Sequence, residues 1–497
     1  MGPQTTIKTD TAKDVPIFGS TLSVHTFEYG ERYFAFDTVS CSYFETNAVT
    51  NEIIETIVAA AGGRPDNGDL EALERRYGRE TVAGVLTDLD NLRATGYFNK
   101  DKNETPEEID RYIDALVPQV SSSIKLDVSE ACNLACRYCY AEGGSFGHVP
   151  MLMTKEVAKK AVDLLFERSA RLKSEHVGII FLGGEPLVNL DVIRFTIDYS
   201  QILGKEHGKQ VGYSMTTNAT LLTDEAIDLI CKYRIGIKVS VDGPKEIHDY
   251  LRPHKTGAGS FDTLVKNLQR LVAKRGYPPA VRATITRKNP GINDIAEFLE
   301  KIGFNIIGFG YAEGSCFEKG ELDLTAADME FLKGEERKLA EKVIAKLDAG
   351  ERVKFNPYGR LLQKIHHRVK TRMRCGYARG TITVAADGRI FPCPLSPGKR
   401  EHYVIGDVFN GIDPGRVKAM VADYYKVKQH CHKTCWAKHI CGGPCPTYVA
   451  HDSGRHLAPD AIHCDFVRGG YEFGIWFYQQ LKERHPDYLD TMLTTPA

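Results

Sequence analysis

The chain has 497 residues, 42% of them hydrophobic and 26% charged, with 64 Lys and Arg against 65 Asp and Glu and a formal net charge of −1. A length of this order gives about two to four domains with buried cores, and balanced charge exerts no general pull on nucleic acid or anionic membranes. No apolar run is long enough to span a bilayer and the first residues lack the apolar core of a secretory signal, so the expected location is the cytoplasm, where thiols stay reduced.

In chain order, residues 1 to about 18 are polar. Residues 25–29 and 32–36 are predicted strands around a Gly30-Glu31 hairpin turn, and residues 41–44 a third strand. Helices are expected over 51–61, from about 69 onward with Leu70 and Leu73, and over 79–95, where Val82, Val85, Leu86, Leu89 and Leu92 form an apolar stripe. Residues 103–118 read as an acidic linker ending in a short helix. Strands at 123–128, 177–182, 212–216, 235–240, 281–285 and 306–309 then alternate with helices near 154–171, 189–205, 223–233, 260–275 and 291–302. This alternation predicts a parallel sheet. Six units are too few for a closed eight-stranded barrel, which leaves a partial α/β barrel with ligands at the C-terminal strand ends. Residues 324–370 are charged and mostly helical, and residues 469–485 form a last helical segment. The expected domains are 19–100, 121–320, a helical bridge over 321–372, 373–468 and a C-terminal helix in 469–497.

Ten of the 13 cysteines fall into two ordered sets. The first is Cys132-Asn133-Leu134-Ala135-Cys136-Arg137-Tyr138-Cys139, a loop directly after the first parallel strand. Three close thiolates suit an iron–sulfur cluster, one of whose irons is then left open to a small molecule. A zinc knuckle is the bland alternative, although structural zinc takes four protein ligands and no fourth is obvious nearby. The second set is Cys375, Cys393, Cys431, Cys435, Cys441, Cys445 and Cys464, with Gly388 between the first two. A zinc ribbon would need eight ligands for two sites, and seven are present. Cys41, Cys231 and Cys316 read as structural, because free cysteine is commonly a small buried hydrophobe.

Cys-x-x-x-Cys-x-aromatic-Cys after a first strand resembles the signature of radical S-adenosylmethionine (SAM) enzymes. The resemblance implies a [4Fe-4S] cluster on Cys132, Cys136 and Cys139, whose open iron chelates SAM and whose electron releases a 5′-deoxyadenosyl radical. It assigns Tyr138 to the adenine. Gly183-Gly184-Glu185-Pro186, one strand later, matches the motif for the methionyl amino group. Asn218 and Asp242 end the next two strands among groups suited to ribose and carboxylate. Ser240 matches a SAM-binding position, and Arg252 matches one that pairs with the SAM carboxylate by a charge-assisted bond.

The second set resembles the SPASM domain, which implies two auxiliary [4Fe-4S] clusters and three in all. By that match Cys375, Cys393 and Cys445 bind the nearer one, and Cys431, Cys435, Cys441 and Cys464 the outer. The three-residue gap from Cys431 to Cys435 departs from the usual two. The nearer cluster keeps an open iron for a substrate thiolate, unless His366, His367 or Cys316 completes it. The first 100 residues resemble a winged-helix peptide-recognition module, in which a leader peptide adds a strand to the sheet edge. A DNA-binding winged helix or an inert cap are the alternatives, and the third helix has only Arg79 and Arg93 as basic groups, near its ends.

The whole pattern resembles maturases that place thioether crosslinks in ribosomally made peptides or protein subunits, such as the quinohemoprotein amine dehydrogenase maturation enzyme and ranthipeptide or sactipeptide synthases. Such an enzyme implies a substrate peptide with a leader segment or a small protein subunit. It also implies an electron donor such as flavodoxin or ferredoxin, and no nucleic-acid or membrane partner. An anaerobic sulfatase-type formylglycine maturase or a carbon–carbon crosslinker is the runner-up. The sulfatase-type family places an aspartate after the cysteine matching Cys393, where this chain has Pro394. A non-catalytic iron–sulfur carrier would not need Gly184, Ser240 and Arg252.

Overall fold

The computed structural model describes residues 23–494 apart from 61–66, 100, 102–103, 117–121, 173, 305, 313–319, 354–356, 379, 381, 397–400 and 448–460. Cys316 therefore lies outside the described residues. Strands β1 (Val24–Tyr29), β2 (Arg32–Asp37) and β3 (Ser42–Thr46) form an antiparallel sheet in that order. Gly30 and Glu31 both take positive φ, 56° and 63°, the turn geometry that matches the twist of a two-residue hairpin. Helices α1 (Ala48–Ala59), α2 (Asn67–Tyr77) and α3 (Arg79–Ala94) follow, α1 capped by Asn47, which accepts from the Thr50 N–H.

Successive β2 side chains point to opposite faces. Ala35 packs with Ile53, Ile54 and Ile57 in a core private to this unit, while Phe34 and Phe36 enter the main core of the molecule. The unit is thus clamped from both sides. Helix α4 (Pro106–Leu116) leads out of it.

The central unit alternates β4 (Ser123–Ser129), α5 (Lys155–Arg171), β5 (His176–Gly183), α6 (Leu190–Glu206), β6 (Gln210–Thr217), α7 (Asp224–Lys232), β7 (Gly236–Ser240), α8 (Lys245–Leu251), α9 (Phe261–Arg275), β8 (Ala280–Ile285), α10 (Ile292–Lys301) and β9 (Ile307–Tyr311). Its six strands pair in parallel and in sequence order. Helix α8 is not expected from the sequence. It is seven residues long, too short to show a helical period. Helices α11 (Ala326–Asp348) and α12 (Gly359–His366) form the bridge, the first opened by a Thr325–Asp328 capping box.

The C-terminal region is built into the central sheet. Strands β10 (Ile382–Val384), β11 (Arg389–Phe391), β12 (Gly406–Asp407) and β13 (Gly411–Ile412) extend it past β4, with β10 parallel to β4. Ten strands make one sheet, in the order β13-β12-β11-β10-β4-β5-β6-β7-β8-β9. Helices α13 (Pro414–Thr434), α14 (Lys438–Cys441), α15 (Ala461–Arg484) and α16 (Pro486–Thr494) complete the chain. Helix α15 starts eight residues before the expected 469, so it carries Cys464 and crosses the boundary drawn at 468. Burial of Phe466, Tyr471, Phe473 and Phe477 outweighs the poor helix propensity of Gly469-Gly470. Among the described residues no helix is long and apolar enough to cross a membrane.

Candidate active site

The loop that follows β4 carries Cys132, Cys136 and Cys139, and its shape depends on two glycines at the end of β5. The N–H of Gly184 donates to Ser129 O at 2.7 Å and that of Glu185 to Ala131 O at 2.9 Å. Gly183 has a φ of 129°, and a Cβ on it would strike the Ser129 carbonyl; one on Gly184 would sit 2.5 Å from Ala131 O. The glycine pair therefore lets β5 press against the entrance of the cysteine loop. The close approach it permits is to backbone of this chain. Gly144, beyond Cys139, closes the same seam, since a Cβ there would lie 2.7 Å from Gly184 Cα.

Glu185 is buried and fully engaged. Its Oε1 accepts from Thr217 Oγ1 at 2.6 Å and from the Leu187 N–H at 3.2 Å, and its Oε2 accepts from the Asn218 N–H at 2.8 Å. Burial raises its pKa to about 7 against the pull of these donors. Asn218 carries the network on to the loop. Its Nδ2 donates to Asn133 Oδ1 at 3.0 Å and approaches Cys132 Sγ at 3.8 Å, while Asn133 Nδ2 donates to Thr220 Oγ1 at 2.7 Å.

A second buried network holds the other side. Arg252 pairs with Asp242 through Nε at 2.8 Å and Nη2 at 3.3 Å, with Asp242 wholly buried. Tyr138 donates its hydroxyl to Asp242 at 2.5 Å and lays its ring 5.2 Å from the guanidinium. The Thr284 N–H also donates to Asp242, at 2.9 Å. The remaining arm of Arg252, Nη1, lies 3.9 Å from Cys136 Sγ. A charge buried this deeply must be paired inside the protein, so Arg252 serves Asp242 first and the Cys136 sulfur second. Ser240 ends β7, half-buried and in register with Arg282.

Burial pushes the Cys132 thiol up to about 12 and the Cys136 thiol up to about 11. The bare loop thus holds thiols, and a bound cationic cluster would supply the charge that ionises them. The Leu134 N–H aims at Cys132 Sγ from 3.4 Å, as a thiolate ligand requires. These residues fit an iron–sulfur group. Among the described residues no three His, Cys, Asp or Glu side chains converge on one point as the ligands of a single ion would.

The later cysteines act on buried tyrosines and on one another. The buried Tyr377 has Cys393, Cys445 and Cys375 among the charged groups acting on it, and its hydroxyl has no hydrogen-bond partner among the described residues. A sulfur acceptor held by those cysteines would satisfy that hydroxyl. Cys431 is acted on by Cys435, Cys464 and Cys441. Tyr424, wholly buried, senses members of both groups and donates to Gly442 O and Pro444 O at 3.0 and 2.9 Å. His366 is engaged elsewhere, its Nδ1 2.7 Å from Tyr478 Oη and its ring against His367. Cys41 is buried in the core and Cys231 packs against it.

Sequence reasoning missed Tyr140, on which a cysteine of each set acts. Tyr140 follows Cys139, and after burial the groups that weigh on its ionisation are Asp127, Cys139, Cys393 and Arg282. Lys125 acts on both Asp127 and Cys393. The signal was present in β4, where Lys125 and Asp127 occupy the alternate positions between Ile124, Leu126 and Val128.

Residues 126–302 match the Radical SAM superfamily. An uncharacterized protein of Methanocaldococcus jannaschii is 31% identical over 185 residues, which span 37% of this chain and 60% of that relative. A cysteine-type anaerobic sulfatase-maturating enzyme of Clostridium perfringens is 24% identical over 350 residues, 66% of this chain and 89% of the enzyme. The solved structure of native anSMEcpe with bound AdoMet superposes with a TM-score of 0.59 at 19% identity, covering 74% of this chain and 99% of the other. That likeness is one of fold. With the cysteine loop after β4 and the parallel strands in sequence order, these matches make residues 126–302 a domain of the radical SAM superfamily.

Proposed function

We propose that the chain is a peptide maturase that takes hydrogen from a carbon of a ribosomally made peptide or small protein subunit and joins a cysteine sulfur there as a thioether. The observation that carries this reading is Tyr140, which is acted on by Cys139 of the first set and Cys393 of the second. That both sets act on one side chain supports a substrate meeting both.

Cys132, Cys136 and Cys139 would hold a [4Fe-4S] cluster, which with SAM supplies a 5′-deoxyadenosyl radical. Around it Asn218 and the Leu134 N–H steady Cys132, and Arg252 offsets charge on Cys136. Tyr138, Asp242 and Arg252 form a rigid buried wall, and Ser240 lies beside it at the strand ends, where ligands of such sheets bind. Cys375, Cys393 and Cys445 would hold a nearer auxiliary cluster, and Cys431, Cys435, Cys441 and Cys464 an outer one, for three in all. In the N-terminal unit β3 pairs, among the described residues, with β2 alone, so its other edge could offer main-chain groups to a leader peptide. A reductant such as flavodoxin or ferredoxin would feed the first cluster.

A sulfatase-type maturase is the second reading, favoured by the relative of which this chain covers 89%. Pro394 after Cys393 stands against it, because that position then holds no proton acceptor. Both readings remove two hydrogens from a peptide. The test is anaerobic incubation of reconstituted protein with SAM, dithionite and cysteine-bearing peptides, including any encoded beside the gene. A thioether appears as a two-hydrogen mass loss with a thiol no longer alkylated and not restored by reductant. An aldehyde trapped by a hydrazide would support the sulfatase-type reading instead. Deoxyadenosine formed with no change to any peptide would sink both.

A further inference from the structure

The first cysteine loop has a second backbone support besides the end of β5. The Lys255 N–H donates to Asn133 O at 3.3 Å, that of Ala135 to Pro253 O at 2.8 Å and that of Arg137 to Leu251 O at 2.9 Å. Leu134 lies opposite His254 in an antiparallel bridge. Residues 133–137 and 251–255 therefore run as a short antiparallel ladder, bonded at every second residue. At its centre the pairing is one-sided, because Pro253 has no N–H to return. Arg137 reinforces it, donating from Nε to Tyr250 O at 2.8 Å with its guanidinium 4.5 Å from the Tyr250 ring.

Two short strands do not hold themselves together in water. The outer one is held by a buried latch at His248 on α8, which is 1% exposed, and Ser260, which is 0% exposed. The Asp242 N–H donates to His248 Nδ1 at 3.4 Å, so the ring carries its proton on Nε2 and donates it to Ser260 Oγ at 3.2 Å. Ser260 Oγ in turn donates to Arg252 O at 2.6 Å. Burial, with the Arg252 charge adding to it, pushes the His248 pKa down to about 4, so the ring is neutral and its one donor and one acceptor are both used. The end of the segment is tied to α8 as well. The Phe261 N–H donates to Asp249 Oδ1 at 2.8 Å, and a Cβ on Gly259 would sit 2.3 Å from Asp249 Oδ2. The two arms of His248 thus end on the backbones of Asp242 and Arg252, whose side chains pair behind Cys136.

We propose that His248 is a positioning residue for the first cysteine loop. Through Ser260 it fixes segment 251–255, and that segment holds the loop of Cys132, Cys136 and Cys139 in shape before any cluster binds. Ordering a free loop costs about 1–2 kcal/mol per residue in backbone entropy, and cluster binding must also remove the protons of buried thiols. A loop already set by the ladder leaves the binding free energy for the second task. The same latch places Arg252, whose Nη1 lies 3.9 Å from Cys136 Sγ. The inference rests on the radical SAM domain and not on the product, so it holds for either reading of the function.

The test is the alkylation rate of each cysteine in the iron-free full chain, read by peptide mass spectrometry, for wild type, His248→Phe, Ser260→Ala, His248→Gln and His248→Asn. In His248→Phe and Ser260→Ala, Cys132, Cys136 and Cys139 should react about tenfold faster, the worth of one buried hydrogen bond, while Cys41 and Cys231 keep their rates. His248→Gln carries an amide N–H where the Nε2–H stood and should restore the wild-type rates. His248→Asn keeps only an acceptor for the Asp242 N–H and should not. When iron, sulfide, SAM and dithionite are added, deoxyadenosine formation should recover more slowly in His248→Phe by a similar factor. Loop rates equal to wild type overturn the proposal, and so does recovery at the wild-type pace. An equal rise at Cys41 and Cys231 overturns it too, by showing a general loosening, as does His248→Asn restoring the loop as well as His248→Gln. Should His248→Phe fail to fold, Ser260→Ala decides by the same measurements.

Discussion

The two cysteine sets are built in opposite ways. The first places three thiols within eight residues of one loop, and that loop is gripped by backbone bonds to the end of β5 and by the Asn218 and Arg252 networks. The second spreads seven thiols over residues 375–464 and gathers them with α13, α14, α15 and the hairpins that extend the sheet. It also leans on the N-terminal unit. His25 stacks on Trp436 at 4.0 Å, Phe36 meets the same ring edge-on at 5.5 Å, and Asp101 pairs with Lys438 and His439. The difference teaches that one site is a local device, while the other needs most of the chain to be folded first.

The sharpest way to break this comparison is by paired deletions. Cys132→Ala should lower SAM cleavage by about a thousandfold or more, roughly 4 kcal/mol of barrier. Cys431→Ala should leave that cleavage within a few-fold while abolishing the peptide product. Deoxyadenosine and peptide mass, followed in one assay, separate the two effects, and equal losses in both would show that the sets do not act separately.

Next in size is Arg252→Met, which removes the cationic partner of Asp242 at 0% exposure. Chemical denaturation should show a loss of about 3–5 kcal/mol, with the loss smaller in the Arg252→Met, Asp242→Asn pair. An unchanged midpoint would mean that the wall behind the first loop is not held by this ion pair.

The bridge between the regions offers a pH test. Glu336 on α11 accepts from Tyr311 Oη at 2.7 Å, and burial raises its pKa to about 7 from 4.5. The folded state then holds a proton that the unfolded chain releases. Stability from this group is present below pH 4.5 and is lost as pH rises through 7, by at most about 3 kcal/mol. Glu336→Gln should flatten that slope in urea titrations at a series of pH values, and a slope identical to wild type would rule the group out. The smallest expected effect is that of Trp436→Ala, about 1–2 kcal/mol from lost ring contacts. It should speed proteolysis of the N-terminal unit before it alters SAM cleavage, and the reverse order would mean that the outer region supports the first loop.

Local chemistry was readable from the residues alone. The alternating strands and helices of the central unit, the hairpin at Gly30-Glu31, and the crowding of Cys132, Cys136 and Cys139 are short-range patterns, and short-range patterns survive without a fold. What depended on packing lay elsewhere. The pairing of β10 with β4, the commitment of Arg252 to Asp242 and of Glu185 to Thr217 and Asn218, and the helix that runs through Gly469-Gly470 all involve partners far away in sequence. Desolvation is the reason. A charge or a strand edge takes whichever partner the fold brings within reach once water is excluded, and no run of neighbouring residues names that partner.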